Sequence, residues 1–226
     1  MAQSGEGSPP AKRARLTFGE TIEVLVGAGK RSFTVHKDVI CSRSSFLKAA
    51  CEQWMKERKP VELLDDEPHV FDLWLQCVYL QKPPAVENHA VTFELLYGTY
   101  ILSDKLGDLR SANLVIDEIV RLNDKAKKLP SIEADALAWS GTPANSRLRV
   151  LLVDYFVLEL NASTFESCIS MMPVDMVVAI AKKFRFLKEN NEHRKGKEVY
   201  WKRVSSQPKC HYHQHDDSHP SCAKSE

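Results

Sequence analysis

The spacing of apolar and polar positions divides the chain into a mixed N-terminal part and a helical remainder. Residues 21–26 and 32–35 alternate between apolar and polar side chains and are rich in β-branched residues, with a glycine-containing turn between them, which predicts a β-hairpin. Residues 44–53 carry apolar side chains at helical spacing, Pro60 ends that helix, and residues 61–64 predict a short strand. The N-terminal part is therefore expected to combine helices with a small sheet.

From residue 66 onward the apolar period is helical. Asp66 is placed to cap the first of these helices, Pro68 lies near its first turn, and Pro83 follows its end. The helical patterns cover residues 70–79, 91–106, 108–122, 133–139, 146–160, 163–170 and 174–190. The block from residue 124 to residue 192 is therefore predicted to be all helix.

Composition narrows the class of the protein without identifying it. The chain has 226 residues with 43% hydrophobic and 27% charged content, which is typical of a globular protein. Its longest uninterrupted apolar run, Met176–Ala181, has six residues, whereas a helix that spans a bilayer needs about 20. The first residues are polar and basic where a secretory signal would be apolar. We therefore expect no membrane association and a location in the nucleus, the cytoplasm or both.

The N-terminal arm carries a candidate targeting motif. Residues 1–19 combine Ser, Gly, Pro and charge with little apolar content, which predicts a disordered basic arm. Within it, Lys12, Arg13 and Arg15 fit the K-R-x-R pattern of a nuclear import signal, in which extended basic side chains enter acidic grooves of a carrier. Basic motifs of this length also arise by chance, so both interpretations stay open.

A second basic segment lies near the C-terminus. Residues 182–209 contain ten Lys or Arg and three Glu, which gives +7 in a chain whose net charge is +1 and leaves −6 for the rest. Interleaved aromatic residues would suit a nucleic-acid surface. A helical core stripe with solvated lysines explains much of the same segment, its members being Val177, Val178, Ala181, Phe184 and Leu187. We favour the second interpretation, and nucleic acid is not the expected partner.

No motif in the chain predicts catalysis. Residues 27–32 partly match a phosphate-binding loop, but Val24 stands at the position of its first glycine and Arg31 at that of its hydroxyl residue. The segment also leads into a strand, so it offers no helix N-terminus to a phosphate. His36 is the best single catalytic candidate, and a histidine at a strand end is more often a structural hydrogen-bonding residue. We therefore expect no enzymatic activity and no required cofactor.

Two short segments resemble the signature of a known interaction domain. In residues 33–46 an F-x-x-H-K strand end is followed by an apolar pair and then by S-x-x-F at a helix start, the order found in BTB/POZ domains. Residues 101–106 resemble the A-D-K-L helix end of that family, and residues 210–215 resemble the C-x-Y-H-x-H ending of many BTB proteins of filamentous fungi. The resemblance implies an α/β BTB/POZ fold, with an N-terminal β-hairpin, a short strand and a helical cluster, followed by an all-helical extension. The implied segments are a disordered basic arm (1–19), a BTB/POZ domain (20–123), a helical extension (124–192) and a basic His/Cys-rich tail (193–226).

The resemblance also implies a function, that of a protein-binding adaptor which forms a homodimer. In members that bind cullins, a hydrophobic-x-Glu triplet follows the helix opened by S-x-x-F, and Met55 and Glu57 occupy that place here. The implied partners are then a second copy of the chain and a cullin scaffold of a ubiquitin ligase complex. The alternative is a nuclear co-regulator that binds proteins or nucleic acid without a cullin.

A charged pair distinguishes the transcription-repressor branch of that family. In that branch an acidic residue just before the first strand faces the basic residue that follows the histidine. Lys37 is the basic member here, and Thr21 aligns with the position of the acid. The resemblance therefore argues against the corepressor groove of that branch.

Histidine and cysteine are concentrated in the C-terminal tail. Two of the six cysteines and four of the eight histidines lie between residues 210 and 222, with sulfur and nitrogen ligands suited to tetrahedral zinc. The predicted ligands, in the spacing C-x2-H-x5-H-x2-C, are Cys210, His213, His219 and Cys222, with His211 and His215 as alternatives. An unstructured His-rich tail explains the same composition, and of the two interpretations it is the one favoured here.

Overall fold

A computed structural model of the chain describes residues 19–57, 59–84, 92–126, 130–158, 160–191, 198, 202, 210–216 and 222, with the side chains of 55, 57 and 124–126 left undescribed. In these residues the strands are β1 (Thr21–Val26), β2 (Arg31–His36) and β3 (Val61–Leu63). The first helices are α1 (Lys37–Arg43), α2 (Ser45–Glu57), α3 (Pro68–Leu80), α4 (Phe93–Lys105) and α5 (Leu109–Ala126). They are followed by α6 (Ile132–Ser140), α7 (Arg147–Leu158), α8 (Ala162–Cys168), a 3-10 turn (Ile169–Met171) and α9 (Val174–Glu189).

The three strands form one sheet in the order β2-β1-β3. Strand β1 is antiparallel to β2, with Ile22 opposite Val35 and Val24 opposite Phe33, and it runs parallel to β3, with Val24 opposite Val61. These five side chains are all at most 9% exposed, while the alternate positions of the hairpin are mainly polar and face outward. The predicted hairpin and short strand are therefore confirmed, and the apolar face of the hairpin is already buried inside its own domain.

Two local predictions about helix starts are wrong. The sequence analysis assigned no helix to residues 37–43, where α1 contributes only two buried residues and is too short to show a period. Helix α3 begins at Pro68 behind Glu67, with no side-chain cap. The carboxylate of Asp66, predicted to cap α3, instead lies 2.7 Å from the ammonium of Lys105.

The core has two parts that meet at helix α4. The smaller part lies between the sheet and helices α1 to α3, and it includes Leu102 and Leu106 near the end of α4. The larger part joins α4 and α5 to the helices of the extension, and it includes Leu96 and Tyr97 near the start of α4. The predicted domain boundary between residues 123 and 124 falls inside helix α5. The extension therefore continues the core of the N-terminal domain.

The C-terminal tail contributes to this larger core. Tyr212 has no exposed surface and His213 is only 6% exposed. The interpretation of the tail as unstructured is therefore wrong for residues 210–216, because an apolar ring at Tyr212 is fully removed from water there. None of the helices in the described residues is both long and apolar enough to cross a lipid bilayer.

Candidate interaction surfaces and a cysteine–histidine cluster

An ion pair joins the two ends of the hairpin. The Lys37 ammonium lies 2.7 Å from a carboxylate oxygen of Glu20, and this hydrogen bond raises the pKa of Lys37. Thr21 was predicted to stand at the position of the acidic partner, which is occupied by Glu20 in the structure. The antiparallel register explains the error, because Thr21 is paired with His36 and the residue opposite Lys37 is therefore Glu20. A charged pair is therefore present here, and its acidic member stands one residue earlier than predicted.

His36 connects strand β2 to helix α3. Its ring Nδ1 lies 3.1 Å from the Tyr79 hydroxyl oxygen, and its backbone N–H donates to the same oxygen at 2.9 Å. These contacts agree with the structural interpretation of His36.

An open groove of about 500 Å³ lies between helix α2 and strand β3. Its lining residues are Phe46, Ala50, Gln53, Trp54, Lys59, Pro60, Val61 and Glu62. Phe46 is 42% exposed, a high fraction for a large aromatic side chain. The backbone of Met55 and Glu57 lies in the last turn of α2, whereas the sequence predicted that this triplet follows the helix. Their side chains lie outside the described part of the chain, so a contact with a partner stays a prediction.

A second groove of about 510 Å³ lies in the helical extension, between helices α7, α8 and α9. It is lined by Phe156, Val157, Leu160, Asn161, Ala162, Phe165, Ile169, Val177, Ile180, Ala181 and Phe184. Ten of these eleven residues are apolar, and Ile169 and Phe184 are 39% and 53% exposed. An apolar concavity of this size on a surface is typical of a binding site.

The face that helix α9 buries differs in part from the predicted core stripe. The buried face of α9 consists of Met176, Ile180 and Leu187. Lys183 belongs to this face as well, because its ammonium lies 2.7 Å from the fully buried carboxylate of Asp154. Phe184 and Val178, assigned to the core by the sequence analysis, are 53% and 44% exposed. The uninterrupted apolar run in this helix made the choice of stripe ambiguous.

Asp154 of helix α7 also contacts two residues of the C-terminal tail, His211 and Tyr212. One of its carboxylate oxygens accepts a hydrogen bond from the Tyr212 hydroxyl at 3.2 Å and lies 3.3 Å from Nε2 of His211. The other oxygen is the one that faces Lys183. A buried carboxylate needs such partners, and two of the three named here, His211 and Tyr212, come from the tail.

Helix α5 holds the next residues of the tail. The Asn113 side-chain amide donates to the backbone oxygen of Gln214 at 2.9 Å and accepts from its backbone N–H at 2.9 Å. One turn along the same helix, the Asp117 carboxylate lies 3.4 Å from Nε2 of His213. These contacts place the tail against the surface of α5 in a defined register.

The tail residues fixed in this way bring a group of metal-ligand side chains together. The ligand atoms of Cys210, His215 and Cys222 all lie within 4.8 Å of one another. Nδ1 of His213 lies 3.2 Å from the Cys222 sulfur. Burial, aided by Cys210, raises the pKa of the Cys222 thiol to about 11. His219, a predicted ligand, and the basic residues Lys12, Arg13 and Arg15 lie outside the described residues.

Sequence reasoning could have found only part of these surfaces. The concentration of histidine and cysteine was a usable signal for the cluster, and the Met55–Glu57 position was a usable signal for the end of α2. The groove of the extension had no signal of its own, because its apolar residues are indistinguishable in sequence from core residues.

Comparison with known proteins identifies the N-terminal domain. A family model of the BTB/POZ domain matches residues 15–97, which contain the sheet, helices α1 to α3 and the start of α4. A comparison with curated proteins found no match to the chain. The resemblance of the extension to fungal proteins stays a prediction. Domains of this family are protein-interaction modules that often dimerise, and the family match together with the observed fold shows that residues 15–97 belong to a BTB/POZ domain.

Proposed function

We propose that this protein is a dimerising adaptor that binds a cullin scaffold through its BTB/POZ domain and a second protein through its helical extension. The observation that supports this best is the presence of two separate open grooves, one in each part of the chain. An adaptor has to hold two partners at once, and two concave surfaces that share no lining residue suit that task. The fixed packing of the extension on α4 and α5 would keep the two partners in a constant relative position.

The cullin is assigned to the groove between α2 and β3. Helix α2 ends at Glu57 and strand β3 begins at Val61, so the triplet from Met55 to Glu57 lies in the chain between Trp54 and Lys59, two residues that line this groove. A flexible, polarisable Met side chain suits an irregular pocket on a partner. The carboxylate of Glu57 would pair with basic groups on the scaffold, which favours a defined docking register.

The second protein is assigned to the groove between α7, α8 and α9. The lining offers aromatic and aliphatic surface with one polar residue, Asn161, at its edge. The chemistry that fits such a lining is the apolar face of an amphipathic helix, whose anchors recur every three or four residues. The occupant is therefore proposed to be a helical segment of the protein that the adaptor recruits.

The cullin assignment predicts the effect of a double substitution. Met55→Ala combined with Glu57→Ala is expected to abolish co-precipitation of a cullin with the full-length protein, because loss of a buried anchor commonly costs ~2 kcal/mol or more. That cost weakens binding more than tenfold. The dimer mass in light scattering and the melting temperature should stay those of the wild type.

Lys56→Ala is the matched control, because this exposed residue lies between the two and does not belong to the hydrophobic-x-Glu pattern. Cullin binding that survives the double substitution would refute the assigned surface. A wild-type protein that binds no cullin at high micromolar concentration would refute the scaffold role, and the nuclear co-regulator alternative would then be preferred.

The extension groove predicts a separate loss of partners. Phe184→Ser should reduce the recovery of specific partners in quantitative affinity purification by about tenfold, because aromatic anchors dominate such interfaces. Phe186→Ser is the matched control, since Phe186 is 54% exposed on the same helix but does not line the groove. Proteins lost with Phe184→Ser should be retained with Phe186→Ser, and cullin recovery should be unaffected by either. Equal recovery of every partner in the two variants would contradict this assignment.

A further inference from the structure

We propose that Cys210, His213, His215 and Cys222 bind one zinc ion, which fastens the C-terminal tail to helix α5. The site lies apart from both grooves and does not depend on the adaptor function. Two thiolates and two imidazoles form a ligand set that suits tetrahedral zinc and disfavours magnesium or calcium, which prefer oxygen ligands.

The distances between the ligand atoms agree with a metal centre. Cys210, His215 and Cys222 present their ligand atoms within 4.8 Å of one another. Nε2 of His215 lies 3.9 Å and Nδ1 of His213 lies 3.2 Å from the Cys222 sulfur. Zinc–sulfur and zinc–nitrogen bonds in a tetrahedron place neighbouring ligand atoms roughly 3.5 Å apart. The spacing of Cys210, His215 and Cys222 is therefore compatible with a shared metal ion, and His213 already contacts one of their two sulfurs.

The fourth ligand, His213, lies close to a carboxylate of the kind that supports many zinc-bound histidines. While its Nδ1 faces the Cys222 sulfur, its Nε2 faces the Asp117 carboxylate at 3.4 Å. A carboxylate on the far nitrogen fixes the tautomer of a ligating histidine and makes it a stronger ligand. His213 is 6% exposed, so its orientation is held by its surroundings.

The backbone of the site is held independently of any metal. Asn113 makes two hydrogen bonds with the backbone of Gln214, which lies between the two histidine ligands. The Asp154 carboxylate accepts a hydrogen bond from the hydroxyl of Tyr212, which lies between Cys210 and His213 in the chain. A ligand set carried by a backbone that is already fixed loses little further entropy when it binds a metal.

Zinc replaces one proton on each thiol, so the bound centre contains two thiolates and two neutral imidazoles, and two protons pass to solvent. No electron transfer is involved. Affinity is consequently expected to fall as the pH is lowered, because protons compete for the same four atoms.

Elemental analysis of the full-length protein, purified without a polyhistidine tag, tests the proposal. We expect about one zinc per chain in the wild type and less than about one tenth in the Cys210→Ser, Cys222→Ser double variant. Cys41→Ser and His211→Gln are the controls and should retain the metal, because Cys41 lies in α1 and His211 contacts Asp154 instead of the sulfur cluster. Asp117→Asn should keep the site but weaken its zinc affinity by about tenfold.

A second measurement covers the case in which the double variant does not fold. Wild-type protein stripped with a chelator should regain one Co²⁺ per chain, with the thiolate charge-transfer absorption of a tetrahedral centre, and Zn²⁺ should displace it. Wild-type protein that stays metal-free after zinc addition and dialysis would overturn the proposal. So would zinc that persists in the double variant, or a Cys210–Cys222 disulfide found by mass spectrometry of the native protein.

Discussion

Asp108→Asn is expected to lower the free energy of unfolding by about 3 kcal/mol, one of the largest losses available from a single isosteric change in this protein. Asp108 is 1% exposed, and its Oδ1 accepts hydrogen bonds from Nε and Nη2 of Arg43 at 3.3 and 3.2 Å. The Arg43 side chain is itself only 8% exposed. Removing the carboxylate charge would leave a buried guanidinium without its counter-charge, a far greater cost than the loss of one hydrogen bond.

The same carboxylate begins helix α5. Oδ1 also accepts the Ser111 backbone N–H at 3.1 Å, and Oδ2 accepts the Ser111 hydroxyl at 2.6 Å. An asparagine at this position has only one side-chain oxygen. It can accept either the Ser111 backbone N–H or the Ser111 hydroxyl, and its NH₂ group then faces the other donor. The substitution therefore disturbs the start of α5 as well as the ion pair that ties α5 to α1.

Urea denaturation of three variants separates these effects. Asp66→Asn is the control, since its pair with Lys105 is partly exposed and such pairs contribute about 0 to 1 kcal/mol. Adding Arg43→Met to Asp108→Asn should recover part of the lost stability, because the uncompensated charge is then removed. A loss for Asp108→Asn no larger than that for Asp66→Asn would contradict the role given to the buried pair.

The contrast between Asp108 and Asp66 shows what the sequence could predict. The alternation in the hairpin and the helical periods gave the element types correctly, because those signals are local. Whether a carboxylate caps a helix depends on residues that are far away in the sequence. Asp66 pairs with Lys105, which lies thirty-nine positions later in the chain, and Asp108 pairs with Arg43, which lies sixty-five positions earlier. Pairings at such separations leave no periodic trace.

The candidate sites show the same limit. Cysteine and histidine are concentrated in the tail sequence, but the sequence does not indicate which histidines lie near the cysteine sulfurs. That choice depends on Asn113 and Asp117 of α5, about one hundred positions earlier, which set the register of the tail. The exposure of Phe184 likewise depends on which face of α9 packs against α7, where Lys183 pairs with Asp154. Local composition indicated which residue types could serve as ligands or anchors, and long-range packing decided where those residues lie.

A buried carboxyl in the extension should make stability depend on pH in an unusual direction. Asp135 of helix α6 is 2% exposed, and the Tyr97 hydroxyl donates to its Oδ1 at 2.7 Å. Burial raises the pKa of Asp135 from its usual value of 3.8 to about 7, even though the hydrogen bond from Tyr97 acts in the opposite direction. At neutral pH the carboxyl is therefore near the midpoint of its titration in the folded protein.

The raised pKa means that the folded state binds this proton more tightly than the unfolded state does. The contribution of Asp135 to the free energy of unfolding is therefore greatest below about pH 4 and is lost as the pH rises toward 7 and beyond, with a total change of about 4 kcal/mol.

Asp135→Asn mimics the protonated carboxyl and does not titrate, so the variant should gain stability relative to the wild type as the pH is raised from 4 to 8. Thermal or urea denaturation at several pH values measures this difference. Glu133→Gln, which removes an exposed carboxylate from the same helix, is the matched control. A difference between wild type and Asp135→Asn that stays constant over this range would refute the raised pKa and, with it, the desolvation that is held to cause it.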